Sequence, residues 1–109
     1  MYKATVNIKL SSGYWEALMA NPDSDRQAAV SKTMESVGGK LHFFGFTHGK
    51  WDALIAGEAP SKEAFMSSLI KAWMAGMIQV IKTIPCIDQK TMVAAMSMTT
   101  QADYKKPGE

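Results

Sequence analysis

An α+β fold with four antiparallel strands, two helices packed on one face and a further helix at the C-terminus is predicted for this chain. Three observations predict it. Tyr2 to Leu10 alternates with a period of two, the segment after Ser61 has helical periodicity, and the turn signals between them order the elements as strand, helix, strand, strand, helix, strand. The chain has 109 residues, the size of one domain, with 47% hydrophobic and 20% charged residues, which is ordinary for a globular protein and wrong for a disordered one. Residues 1–98 are expected to form a single domain and residues 99–109 a polar tail.

Each element has its own signal. In the first strand Tyr2, Ala4, Val6, Ile8 and Leu10 face one way, and Lys3, Thr5, Asn7 and Lys9 the other. Ser11-Ser12-Gly13 breaks the alternation and caps a short helical segment through Ala20. After Asn21-Pro22-Asp23, Ser24 or Asp25 caps a helix running to about Val37, with Ala29, Val30, Met34 and Val37 at helical spacing and Gly38-Gly39 as its C-terminal stop. Lys40 to Thr47 is an aromatic-rich second strand, His48-Gly49-Lys50-Trp51 a hairpin loop, and Asp52 to about Glu58 a third strand. Ala59-Pro60-Ser61 ends that strand and caps a helix whose stripe is Phe65, Leu69, Trp73 and Met77, joined by Met66, Ile70 and Met74; Trp73 is expected in the core. A fourth strand from about Ile78 to Ile84 ends at Pro85, and Asp88 caps a last helix striped by Met92, Ala95 and Met96.

This order matches a ferredoxin-like βαββαβ plait with an appended C-terminal helix. One sheet face is then bare. In the second strand both alternating sets are apolar: His42, Phe44, Phe46 and His48, or Leu41, Phe43, Gly45 and Thr47. Both faces therefore need a cover, one of helices and one of a second copy, which predicts a homodimer or higher homo-oligomer forming a dimeric α+β barrel. Which set faces the helices is left open by the pattern.

Composition excludes several function classes. Twelve basic against ten acidic residues give a net charge of +2, too even for nucleic-acid or membrane-surface binding by charge alone. Arg26 is the only arginine, so no site is built on several bidentate anion clamps. One cysteine, Cys86, rules out a disulfide framework or a multi-cysteine zinc site within one chain and reads as a small packed residue. No secretory leader and no run of about 20 apolar residues is seen, so neither secretion nor a membrane partner is expected and the cytoplasm is the default. Phe44-Gly45-Phe46 lacks the basic flanks and the strand position of an RNA-stacking motif, so no nucleic-acid partner is expected either.

Gly38-Gly39-Lys40-Leu41, the aromatic strand, and Gly49-Lys50-Trp51-Asp52-Ala53 together resemble the GYD-domain family, named for a Gly-Tyr-Asp signature at this hairpin. Trp51 stands at the tyrosine position, and Gly45 and Phe46 replace larger aromatics. The resemblance spans Tyr2 to about Met96 and implies kinship with dimeric α+β barrels. Among those relatives it implies cofactor-free oxygenation, isomerisation, cyclisation or haem binding, and it selects none.

A small apolar ligand inside the barrel is the expected occupant. His42 is the candidate for proton transfer, since imidazole titrates near neutrality, and Asp52 the candidate orienter or second base; a hydrogen-bonded interface role for His42 and a hairpin-locking role for Asp52 compete with these. His42 and His48 are separated by about 20 Å along a regular strand and cannot share a metal within one chain, so no metal site is expected. Asn7, Phe44, Phe46, His48, Trp51 and Tyr14 are the candidate ligand contacts, with Trp15 at the same rim. No cofactor is assigned; a lone histidine on haem iron or a ligand held by packing would be the available routes. A non-catalytic ligand-sensing or assembly module is the alternative function.

Overall fold

The computed structural model describes residues 1–109. Its elements are β1 (Tyr2–Leu10), α1 (Ser12–Ala20), α2 (Arg26–Glu35), β2 (Lys40–Phe46), β3 (Ala53–Ala59), α3 (Lys62–Met74), β4 (Ile78–Cys86), α4 (Gln89–Ser97) and a single 3-10 turn at Met98–Thr100. The strands form one sheet in the order β2-β3-β1-β4, with every neighbouring pair antiparallel. This is the ferredoxin-like arrangement. The long alternating strand β1 sits inside the sheet, where its two neighbours satisfy its backbone on both sides.

Helix starts follow side-chain chemistry. The Ser11, Asp25, Ser61 and Asp88 side chains accept from Tyr14, Ala28, Ala64 and Thr91 amides respectively, so each free N-terminal turn has one donor satisfied. At Asp88, the Thr91 side chain and then its amide hold the carboxyl below the usual aspartate value. Helix α2 ends at Glu35, shorter than the sequence predicts. Gly38 takes φ +81°, and the Gly39 amide returns to the Met34 carbonyl at 2.8 Å. A Cβ on Gly39 would stand 2.6 Å from the Glu58 carbonyl oxygen, so this close approach of the α2 end to β3 requires glycine.

The core lies between the sheet and α1–α3. It contains Ala4, Val6, Ile8 and Leu10 of β1, Ala53, Ile55 and Ala59 of β3, Tyr14 of α1, Met34 of α2, Phe65 of α3 and Ile78 of β4. Gly57 on β3 makes room for Met34, whose sulfur would lie 2.8 Å from an added Cβ. Tyr2 meets Phe65 edge-on at 5.4 Å.

The stripe on α3 departs from expectation. Phe65 and Ser68 are buried and Leu69 and Ala72 half-buried, whereas Trp73 is 48% exposed, as are Met66, Ile70 and Met74 to similar or greater extent. A fourth-residue repeat drifts about 40° per step on a 3.6-residue helix, so Trp73 has rotated away from the line set by Phe65. Strand β4 also runs past Pro85 to Cys86. Pro85 lies opposite Ala4 on an edge strand, where a missing N–H leaves no ladder partner unsatisfied. Cys86 is exposed rather than packed.

Strand β2 resolves the open question about its faces, and by neither regular alternation. Leu41 pairs with Gly57 but Phe43 pairs with Ala56, so a bulge at His42 shifts the phase. Leu41, Phe44 and Phe46 therefore share the helix-facing side with Gly57, Ile55 and Ala53, while Lys40, Phe43 and Gly45 lie opposite the outward residues of β3.

Helix α4 has no buried residue, and Met92, Val93 and Met96 are all exposed. The radius of gyration is 17.8 Å and the longest dimension 60 Å. A compact domain of this length has a radius near 13 Å. The C-terminal arm accounts for the excess.

Candidate functional site

The most apolar concavity lies between the sheet and the helices, and not on the open sheet face. It measures about 290 Å³, and 16 of its 20 lining residues are hydrophobic. The sheet contributes Val6, Ile8, Phe44, Ala53 and Ile55 as the floor; α1, α2 and α3 contribute Tyr14, Ala29, Val30, Met34, Leu69 and Ala72 as walls. Small residues on facing turns of α2 and α3 leave this space: Ala29 and Ala72 do not fill what a leucine would. Four lining residues carry charge or hydroxyl groups outside the aromatic set: Arg26, Thr33, Ser68 and Lys71. The Ser68 hydroxyl already donates to the Phe65 carbonyl at 2.7 Å.

Arg26 begins α2 directly after its cap. Its Nε donates to the Tyr14 hydroxyl at 3.1 Å, and the guanidinium carbon is 5.3 Å from that ring's centroid. It also lines the two neighbouring surface grooves, one floored by Phe44, Gly45 and Phe46 beside Trp15, the other between α1 and Met77.

On the open face the bulge brings His42 Nε2 within 2.7 Å of Glu58 Oε1. The imidazole side chain is 44% exposed and the carboxylate 17%. At the other end of the hairpin, Asp52 ties two strands together: its Oδ2 accepts from the Leu10 amide at 2.9 Å, and its own amide donates to the Ile8 carbonyl at 2.8 Å. Lys9 Nζ stands 4.0 Å from the same oxygen. The Thr47 hydroxyl donates to the Trp51 carbonyl, and Lys50 lies 5.7 Å from the Trp51 ring centroid. A Gly-aromatic-Asp hairpin anchored in this way has a structural logic, since the carboxylate at its foot closes the β1–β3 ladder.

The sequence matches the model of the GYD domain over residues 6–96. This chain belongs to the GYD-domain family. No functionally curated protein matches it. Among solved structures it is similar to MtbAldR, with a TM-score of 0.52 and 14% identity over 81% of this chain; it spans 52% of that protein, about half its length. It is also similar to FFRP-DM1, with a TM-score of 0.52 and 15% identity over 80% of this chain and 100% of that one. At these identities the likeness is one of fold.

Within this GYD domain the residues expected to line a barrel do not converge. Asn7 lies on the open face opposite Leu54, while His42 lies near Gly57 with β3 between their strands. Two strand spacings alone separate them by about 10 Å. Asp52 and the His42–Glu58 pair sit at opposite ends of β3, about 20 Å apart at 3.3 Å per residue, so Asp52 does not orient His42 within one protomer. Phe44 and Phe46 are on the helix side, because the bulge rotates them there, and Phe44 lines the internal cavity. Tyr14 is buried in the core and reaches that cavity from α1. His48 is exposed in the β2–β3 connection, and Trp51 is half-buried beside it. Glu58 was not singled out by the sequence pattern, and Arg26 only as the sole arginine, not as a site residue. Glu58 had a signal in its cross-hairpin position, and Arg26 had one in being the sole arginine next to a helix cap.

Proposed function

We propose that this GYD-domain chain is a non-catalytic ligand-binding module that takes a small, largely apolar molecule between its sheet and its helices and works as a homodimer. The observation that carries this reading is the cavity of about 290 Å³ with its apolar wall and few polar groups. Binding sites for small molecules are built this way, at sizes from about 300 Å³ upward. Its lining contains no carboxylate, imidazole or thiol. The groups present hold and orient a ligand better than they move protons at neutral pH, which favours binding over turnover.

The dimer is supported by what the chain leaves uncovered. Phe43 is 52% exposed, and Val80 and Ile84 flank it on the far side of the open face; Ile87, Met92, Val93 and Met96 continue apolar surface onto the protruding arm. A second copy supplies matching surface for all of them. A single cysteine and no helix long and apolar enough to cross a membrane fit a reducing, cytoplasmic setting as part of the proposal.

A second, catalytic reading rests on one contact, the 2.7 Å approach of Glu58 to His42, which is the arrangement of a carboxylate holding an imidazole for proton transfer. In a barrel dimer this pair would face the enclosed space.

Native mass spectrometry of the purified protein tests the main reading. A dimer is expected, with an added small mass or with uptake of an apolar fluorophore such as 1-anilinonaphthalene-8-sulfonate. Ala72→Phe, which fills the cavity, should abolish the uptake and keep the fold. Unchanged uptake by Ala72→Phe places the ligand elsewhere, and a monomer removes the dimer. Loss of ligand turnover in His42→Ala with uptake intact would favour the catalytic reading.

A further inference from the structure

We propose that the cavity selects small carboxylates with an apolar body, buried tail-first against β2, α2 and α3 with the anionic end at Arg26 and Lys71. This rests on the ligand-binding reading and adds the charge and orientation of the ligand to it.

The deep wall and the rim of the cavity differ in chemistry. Val30, Phe44, Leu69 and Ala72 present half-buried apolar surface to the cavity, over Val6 and Phe65, which are packed out of reach of solvent, so this region accepts hydrocarbon and offers no partner to a polar group. The charged groups of the lining are Arg26 and Lys71, both cationic, one from each of the two helices that flank the opening. No acidic residue shares the lining with them. The protein's two ion pairs, Lys9–Asp52 and His42–Glu58, lie elsewhere, and neither cation has a carboxylate within pairing distance. The nearest acidic neighbour in sequence, Asp25, is committed to capping α2 through the Ala28 amide at 3.0 Å.

Arg26 is also held. Tyr14, itself buried, accepts from its Nε and lies against the guanidinium, which restrains the side chain and leaves its terminal amino groups to a ligand. A planar guanidinium with free terminal N–H groups matches the two oxygens of a carboxylate, and such charge-assisted pairs are roughly twice as strong as neutral ones. An amine at the same position would meet two like charges.

Three probes with one chain and different ends separate these statements: octanoate, 1-octanol and octylamine, titrated into the full-length protein and followed by amide and methyl NMR shifts. Octanoate should bind roughly ten times more tightly than 1-octanol, with octylamine weakest. Arg26→Gln should lower octanoate to the level of 1-octanol and leave 1-octanol unchanged, whereas Arg26→Lys should retain part of the preference; thermal melts check that each variant folds. Equal binding of octanoate and 1-octanol, or an octanoate affinity indifferent to Arg26→Gln, overturns the charge selection while the ligand-binding reading stands. If none of the three shifts the resonances of Val30, Leu69 or Ala72, the cavity is not a ligand site and both fall.

Discussion

Strands β1 and β2 are both apolar-rich, yet only one of them could be oriented from its pattern. In β1 the alternate set is Lys3, Thr5, Asn7 and Lys9, so placing it toward the helices would bury two ammonium groups, and a single orientation survives. In β2 both sets are aromatic or aliphatic, so neither orientation is penalised by desolvation. The bulge at His42 then does what alternation cannot: it places Leu41, Phe44 and Phe46 inward and leaves Phe43 outward. Alternation orients a strand only when one of its faces is polar.

Four substitutions and one deletion break or sharpen this contrast. The largest effect is expected for Val6→Asp, at a fully buried position of β1, which should leave no cooperative thermal transition; the same change at Phe43 of β2 should keep the fold and alter association only. Gly57→Val forces Met34 out of its place beside β3 and should cost about 2–3 kcal/mol, read by urea unfolding. Asp52→Ala removes the acceptor for the Leu10 amide where β1 meets the hairpin, a loss of about 1–2 kcal/mol in the same assay. Deleting His42 should have the smallest effect. The remaining residues then pair in uniform register, so Phe44 and Phe46 stay inward and the melting temperature should change by no more than about 4–8 °C. Without a bulge the same deletion would turn both phenylalanines outward and abolish folding.

Element order was legible because it rests on short-range chemistry: caps at Ser61 and Asp88, the stop at Gly38-Gly39, the alternation of β1. The expected stripe on α3 failed at Trp73 because counting by fours ignores the drift of the helix. Its inward line is Phe65, Ser68, Leu69 and Ala72, which includes a serine and an alanine that no hydrophobic count would choose. The candidate site was legible only in pieces. His42 and Asp52 were visible as chemistry-bearing residues, but their partners, Glu58 and the Leu10 amide, come from cross-strand pairing. The cavity had no sequence signal, since it is made by small side chains on two helices that meet only after folding.

By itself the sequence determined the α+β class, the order and approximate ends of the strands and helices, and the inward face of β1, because each depends on neighbours a few residues away and on the cost of burying charge. The tertiary structure alone decided how β2 is phased, that Asp52 joins β1 to β3, that the apolar cavity lies on the helix side of the sheet, and that Arg26 stands at its rim without an acidic partner. Those features depend on pairing register and on the distance between elements remote in the chain, which no local pattern encodes.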